Sequence, residues 1–144
     1  MKKHELVIIG GGPAGMAAAA AAYDAGVRDV VILEREPQIG GILRQCIHAG
    51  FGLHKLGREL TGPEYAEVYR QKVLERGIRV YSETMVTGVT KEKLVTARSR
   101  EGILKIQAGA VILAMGCRER SRGALNIPGT RPAGVYRPPD CVLI

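Results

Sequence analysis

The sequence predicts an α/β fold: a parallel β-sheet with helices packed on it, and an antiparallel β-meander near its end. Three observations predict it. Residues 6–9 (L-V-I-I), 30–33 (V-V-I-L) and 110–114 (A-V-I-L-A) are short unbroken apolar runs, the pattern of strands covered on both faces. Gly10, Gly12 and Gly15 place a G-x-G-x-x-G between the first run and an Ala-rich stretch. Three short alternating segments near 83–90, 93–99 and 103–108, with turns at Lys91-Glu92 and Glu101-Gly102, read as the meander.

Each element follows from local chemistry. In the glycine turn the first glycine allows a sharp bend, the second a close approach of backbone to a pyrophosphate, and the third packs helix on strand. A helix over about 13–25 comes next. Pro13 suits its first turn, where a missing N–H costs nothing, and Gly26 suits a left-handed stop. Its free N–H groups and partial positive charge favour phosphate. Glu34 closes the second run, 19 residues past Gly15, where a carboxylate can accept hydrogen bonds from a ribose diol. Pro37 keeps the following E-R-E-P-Q-I-G-G as a loop. Gly50, Gly52 and Gly57 interrupt any period in 42–60, which reads as loop with short helical pieces.

Thr61-Gly62-Pro63-Glu64 reads as a capping box. The helix after it carries Tyr65, Val68, Tyr69, Val73 and Leu74 on one face and stops at Gly77. Residues 78–81 then enter the sheet. From residue 118 the chain is rich in Pro and Gly, which divides it into a domain over 1–117 and a linker over 118–144.

Composition narrows the function. Of 144 residues, 46% are apolar and 24% charged, which is globular rather than disordered. The net charge is +7, but the cations are scattered among acids, and only five tyrosines and one phenylalanine could stack bases. A nucleic-acid role is therefore not expected. The longest apolar stretch, 16–23, is too short for a bilayer, and nothing reads as a signal peptide, so a cytoplasmic protein is expected. Three cysteines at no metal-like spacing suggest neither a disulfide framework nor a zinc site.

G-G-G-P-A-G, then E-R-x-x-x-x-G-G over Glu34 to Gly41, then V-I-L-A-M-G resemble the N-terminal FAD-binding region of the two-dinucleotide-domain flavoproteins. These are relatives of the pyridine nucleotide–disulfide oxidoreductases. The Gly-Gly pair distinguishes the pattern from a plain NAD-binding domain, and the likeness runs from about Glu5 to Tyr136. G-G-I-L-R-Q-C-I-H-A-G-F-G and G-C-R-E-R-x-R-G-A-L-x-I-P-G-x-R-P-A-G-V-Y resemble a narrower branch. It comprises FAD- and NAD(P)-binding subunits of amine and amino-acid dehydrogenases and oxidoreductases that accompany glycerol-3-phosphate dehydrogenases.

The resemblance implies a Rossmann-like FAD/NAD(P)-binding domain of three ββα layers. Gly10, Gly12, Pro13, Ala14 and Gly15 would hold the FAD pyrophosphate. Glu34 would bind the adenosine ribose, with Arg35 beside the adenine. Gly41 and Ile42 would pass close to the ribityl chain and flavin. Val86 would offer backbone to the adenine edge, and Ala114 and Gly116 would stand near the cofactor. NAD(P) would bind in the full-length protein, next to a small-molecule substrate, with a second subunit or self-association possible.

Departures also matter. The disulfide-reductase branch carries a G-G-T-C-x-x-x-x-C redox pair; Leu43 and His48 occupy those positions here, so dithiol chemistry in that register is not expected. Cys46 and Cys117 are expected to be small buried hydrophobes, and His48 and His54 structural. Met115 replaces the family's usual Thr. Arg118, Glu119 and Arg120 form a charge triplet suited to solvent, an interdomain contact or substrate. After Tyr136 the branch normally continues into an NAD(P)-binding domain, where this chain reads R-P-P-D-C-V-L-I, as a truncated piece would. The expected function is the FAD-binding portion of an FAD-dependent oxidoreductase. The alternatives are a non-catalytic dinucleotide-binding or subunit-interaction module, and an NAD(P)-binding dehydrogenase domain without flavin. No residue stands out as an acid, base or nucleophile.

Overall fold

The computed structural model describes residues 1–117, 120, 122–126 and 128–130. The expected linker, with Arg118 and Glu119, falls mostly outside the described residues; a short helix, Arg122–Leu125, lies within them.

The first apolar run is the inner half of a longer strand, β1 (Lys2–Ile9). The glycine turn leads into α1 (Pro13–Asp24), and β2 (Val30–Leu33) follows. A 3-10 turn (Gly41–Gln45), β3 (Ala49–Phe51), α2 (Leu53–Leu56) and β4 (Leu60–Thr61) fill the stretch read as loop with helical pieces. The two-stranded β3–β4 ribbon was not expected there. Next come α3 (Gly62–Glu75), β5 (Arg79–Tyr81), β6 (Met85–Val89), β7 (Leu94–Ser99) and β8 (Gly102–Leu113).

The main sheet has the order β5-β2-β1-β8-β7-β6. β5, β2, β1 and β8 run parallel, whereas β8, β7 and β6 are antiparallel neighbours. The third meander segment and the last apolar run, expected as two strands, are therefore one. Their junction at Ala108-Gly109 is no turn: a Cβ at Gly109 would lie 2.7 Å from the Glu5 carbonyl oxygen. Glycine lets β8 press against β1 and run on.

Alternation along the strands divides the interior into two cores. Leu6, Ile8, Val30 and Ile32 face Met16 and Ala19 of α1 and Val73 of α3. Val7, Ile9, Val31 and Leu33 face Val95 and Ala97 of β7 and Ile106 and Ala108 of β8. Helices thus cover one face of the parallel strands and the meander covers the other, the expected three-layer arrangement. Both faces of β1 and β2 are buried, which is why their sequences lack alternation.

On α3, Glu64 Oε2 accepts hydrogen bonds from Thr61 N–H at 2.8 Å and Thr61 Oγ1–H at 2.7 Å, so the carboxylate reaches back as expected. Ala66 and Val73 are buried, but Leu74 is 50% exposed. Leu74 sits about 100° around the helix from Val73, off the stripe that meets α1; its expected place on the buried face is corrected. Cys117 is corrected too: it is exposed, because the chain has already left the sheet.

Candidate functional site

The site is built where β1 ends between β2 and β8, the point at which the chain's crossovers diverge to opposite sides. Gly10 hangs from the sheet by donating its N–H to Leu33 O at 2.9 Å, and its φ is 107°. A Cβ there would collide with the Ala114 carbonyl, and one at Gly15 would collide with the Gly10 carbonyl. Both are backbone atoms that cannot step aside. At Gly12 the opposite holds: nothing lies within 4 Å of where a Cβ would project. Gly12 is the N-cap of α1, Pro13 follows at the helix start, no side chain caps the helix and no acid sits in its first turn. The first-turn N–H groups of Ala14 and Gly15 have no carbonyl within the helix to bond. An uncapped, positively polarised helix end therefore faces open space at Gly12, which suits an anionic, close-approaching group.

Glu34 points at this turn. It is 6% exposed. Its Oε2 accepts the Gly11 N–H at 2.7 Å, and its Oε1 accepts the Glu36 N–H at 2.9 Å. Each carboxylate oxygen has a second lone pair, so the group can still accept from a diol. Its own backbone is pinned by Glu34 N–H to Tyr81 O and Thr84 N–H to Glu34 O. Arg35, next in sequence, points outward and pairs with Glu36 at 3.3 Å.

The second motif closes the other side. Gly40 N–H donates to Gly11 O at 2.8 Å, and a Cβ at Gly41 would lie 3.0 Å from Gly12 Cα. The two glycine motifs, about thirty residues apart in sequence, are thus in backbone contact. Ile42 is 62% exposed beside them. Cys46 is half-buried and directs its thiol at Ile42 O, 3.4 Å away. His48 and His54 are exposed. Behind this wall the rings of Phe51, Tyr65 and Tyr69 follow one another at 6.2 and 5.1 Å. The Tyr65–Tyr69 hydroxyl contact, with burial, raises the Tyr65 phenol above its ordinary value.

Ala114 N–H donates to Ile9 O at 2.8 Å, placing the end of β8 against the glycine turn. Gly116 is exposed just beyond, with φ 66°. Val86 sits on β6, two residues past Thr84, whose N–H bonds Glu34 O at 2.8 Å. It lines an apolar groove of about 400 Å³ on the meander side, with Ile9, Val89, Val111, Leu113 and Met115.

The structure therefore brings Gly10, Gly12, Pro13, Ala14, Gly15, Glu34, Gly41 and Ala114 to one cleft, with Ile42 at its rim. Arg35 turns to Glu36, Val86 lines the meander groove, and Gly116 lies exposed beyond Ala114. Gly11 and Thr84, absent from the expected set, hold Glu34 in place. Gly11 could have been found as the unassigned middle of the motif; Thr84 carries no sequence signal. Among the described residues no group of three His, Cys, Asp or Glu could hold a metal. Nor is any described helix long and apolar enough to cross a membrane.

Comparison with known proteins bears on the family and the fold. The family described as pyridine nucleotide-disulphide oxidoreductase matches residues 4–140. The hydrogen cyanide synthase subunit HcnB of Pseudomonas protegens is 35% identical over 136 residues, 90% of this chain and 27% of that protein. The bifunctional thioredoxin reductase/thioredoxin of Mycobacterium leprae is 32% identical over 130 residues, 88% of this chain and 26% of its own. Among solved structures, L-proline dehydrogenase from P. horikoshii is 28% identical with a TM-score of 0.66, covering 79% of this chain and 22% of that one. The chain thus spans about a quarter of the length of these relatives.

Proposed function

This chain belongs to the pyridine nucleotide-disulphide oxidoreductase family, and we propose that the cleft between its two glycine motifs is where it binds FAD. As a member it is the FAD-binding portion of an FAD-dependent oxidoreductase. The observation that carries the site is the contrast within one turn. Gly10 and Gly15 are packed against backbone, while Gly12 opens on unfilled space at an uncapped helix end.

In this reading the N–H groups of Ala14 and Gly15 bind the pyrophosphate, and Pro13 sets the helix start without competing for it. Glu34 orients the adenosine ribose. Gly41 keeps the second wall thin enough for an extended ligand to pass Gly12, and Ile42 shields it from water. Ala114 and Gly116 close the far side, and Arg35 and Val86 flank the adenine. Bound FAD supplies the hydride chemistry; the protein supplies position and electrostatics. In this reading residues 1–117 are the binding unit, and 118–144 are the linker that their Pro- and Gly-rich sequence suggests.

The substrate class proposed is an amine or amino acid. The dithiol positions are Leu43 and His48, and two of the relatives are named for cyanide synthesis and proline dehydrogenation. NAD(P) binding, a second subunit and a cytoplasmic location belong to the same reading. The test is direct. Purified protein should absorb near about 450 nm and release FAD on denaturation, identified by chromatography. Release of NAD(P) alone, or of no nucleotide after reconstitution, would sink the assignment. Anaerobic bleaching by NADH separates an active portion from a module that only binds.

A further inference from the structure

The turn after β5 holds an unusual backbone conformation beside Glu34. Among the described residues only Glu83, Lys93 and Asn126 have a positive φ without being glycine. Lys93 closes the β6–β7 turn by donating its N–H to Thr90 O at 3.0 Å, where a left-handed residue is ordinary. Asn126 follows the short helix Arg122–Leu125, another ordinary place for one. Glu83, with φ 50°, closes no hairpin. It lies between β5 and β6, which stand at opposite ends of the sheet order and pair with different strands. Three residues, 82–84, make that crossing, and they bond to the loop at the end of β2 as they do so.

In an extended chain successive N–H groups point to opposite sides. The positive φ at Glu83 turns its own N–H and that of Thr84 toward one loop. Glu83 N–H donates to Glu36 O at 3.1 Å, and Thr84 N–H donates to Glu34 O at 2.8 Å. Glu36 N–H in turn donates to Glu34 Oε1 at 2.9 Å. The turn thus holds the Glu34 backbone directly and one of its carboxylate oxygens through Glu36. Thr84 is buried, and its hydroxyl donates to Ser82 O at 2.9 Å, which keeps the turn closed. The Glu83 carboxylate points elsewhere, to an ion pair with Arg100 at the β7–β8 turn. Exposed pairs of this kind contribute little. A left-handed residue other than glycine costs free energy and persists where its surroundings over-determine it. Here those surroundings are the carbonyls of Glu34 and Glu36.

We infer that Glu83 is a positioning residue of the cofactor site: its left-handed backbone aims the Glu34 carboxylate at the adenosine ribose. This deepens the FAD reading and rests on it. The backbone does the positioning and the side chain is secondary. Glycine, which takes positive φ freely, can therefore stand at 83, whereas β-branched valine cannot without opening the turn.

The experiment loads the whole chain with FAD and measures how well ADP and 2′-deoxy-ADP displace it. ADP should displace FAD about tenfold better than its deoxy analogue, the size of a hydrogen bond to a charged group. In Glu83→Val that advantage should fall to about twofold or less. In Glu83→Gly and Arg100→Gln it should stay about tenfold. A turn that merely supports the fold would weaken both nucleotides equally in Glu83→Val and leave their ratio alone, which overturns the inference. So does a ratio lost in folded Glu83→Gly. Equal displacement by the two nucleotides, or none, in the unsubstituted chain overturns it too, yet leaves FAD binding standing. A chain that takes up no FAD fails the cofactor reading itself, and this inference falls with it. Should Glu83→Val fail to fold, amide exchange in the unsubstituted chain decides. Coupling between sites is reciprocal, so at equal saturation ADP should slow exchange at Glu83 and Thr84 more than 2′-deoxy-ADP does. Equal slowing overturns the inference.

Discussion

The two walls of the cleft are built on different principles. The β1–α1–β2 wall is all core: Val7, Ile8, Met16 and Ile32 have no exposed surface, and Glu34 is buried with both oxygens bonded. The facing wall, from Gly41 to Thr61, contributes Leu43 to the interior but leaves Ile42, Ile47 and Leu53 more than half exposed. Full burial of one aliphatic side chain is worth about 1.5–3 kcal/mol, so stability is concentrated on the first wall. The lesson concerns recognition. A constant dinucleotide end can be met by a prebuilt surface. The wall carrying Ile42 and Cys46 has little core of its own and draws its shape from the contacts Gly40–Gly11 and Gly62–Cys46.

The sharpest way to break this comparison is to damage each glycine separately. Gly15→Val drives a side chain into the Gly10 carbonyl. It should cost about 3 kcal/mol or more, read as a large fall in melting temperature with loss of bound flavin. Gly12→Val adds volume where there is no protein atom within 4 Å. It should change the melting temperature of the nucleotide-free protein by little, about 1 kcal/mol or less, yet weaken FAD binding at least about tenfold. If Gly12→Val binds FAD normally, the open space at the helix end is not the phosphate site.

Glu34→Gln comes next in size. The amide keeps one oxygen acceptor, so either the buried Gly11 N–H or the part-buried Glu36 N–H loses its partner, and the loss at Gly11 is the costly one. A buried unsatisfied donor costs about 1–3 kcal/mol, and the melting temperature should fall accordingly. FAD affinity should fall with it, because ribose and loop share the same carboxylate. Unchanged stability with weakened binding would mean that Glu34 serves the ligand and not the loop.

The same contrast explains what could be read from sequence. The first wall was legible because its signals are local and strong: unbroken apolar runs, fixed glycine spacing and an acid at the strand end. The facing wall was not. Strands of three and two residues, β3 and β4, contain too few positions to show a period of two. In sequence β8 looks like two strands, since Gly109 falls between the alternating segment and the apolar run; only contact with Glu5, far off in sequence, shows that glycine is there for closeness. Leu74 lies one position's rotation off the buried stripe of a helix whose partner, α1, no local pattern reveals. Thr84 matters through its backbone N–H alone, and no side-chain pattern can announce that. The likeness to flavoproteins supplied residue roles, which the geometry groups but does not by itself assign.

The smallest predicted effect tests whether the facing wall is anchored at its end. Thr61 closes that wall and opens α3, and its N–H and hydroxyl both bond Glu64. These bonds, the backbone one foremost, hold the Glu64 carboxyl below its ordinary value of 4.5. A group whose folded value is depressed stabilises the fold above its unfolded value, and that stabilisation disappears as pH falls through the folded one. Thr61→Ala removes the hydroxyl and keeps the N–H. The variant should melt a few degrees lower at neutral pH, and the gap between the two proteins should narrow as pH drops below the usual glutamate value. A gap that stays constant into acid would show that the hydroxyl acts by packing and not through the carboxylate. Exchange at Gly62, whose N–H reaches back to Cys46 O at 2.8 Å, should quicken in the variant at neutral pH. If it does not, the Gly62–Cys46 bond stands without the Thr61 hydroxyl, and the capping box does not anchor this end of the wall.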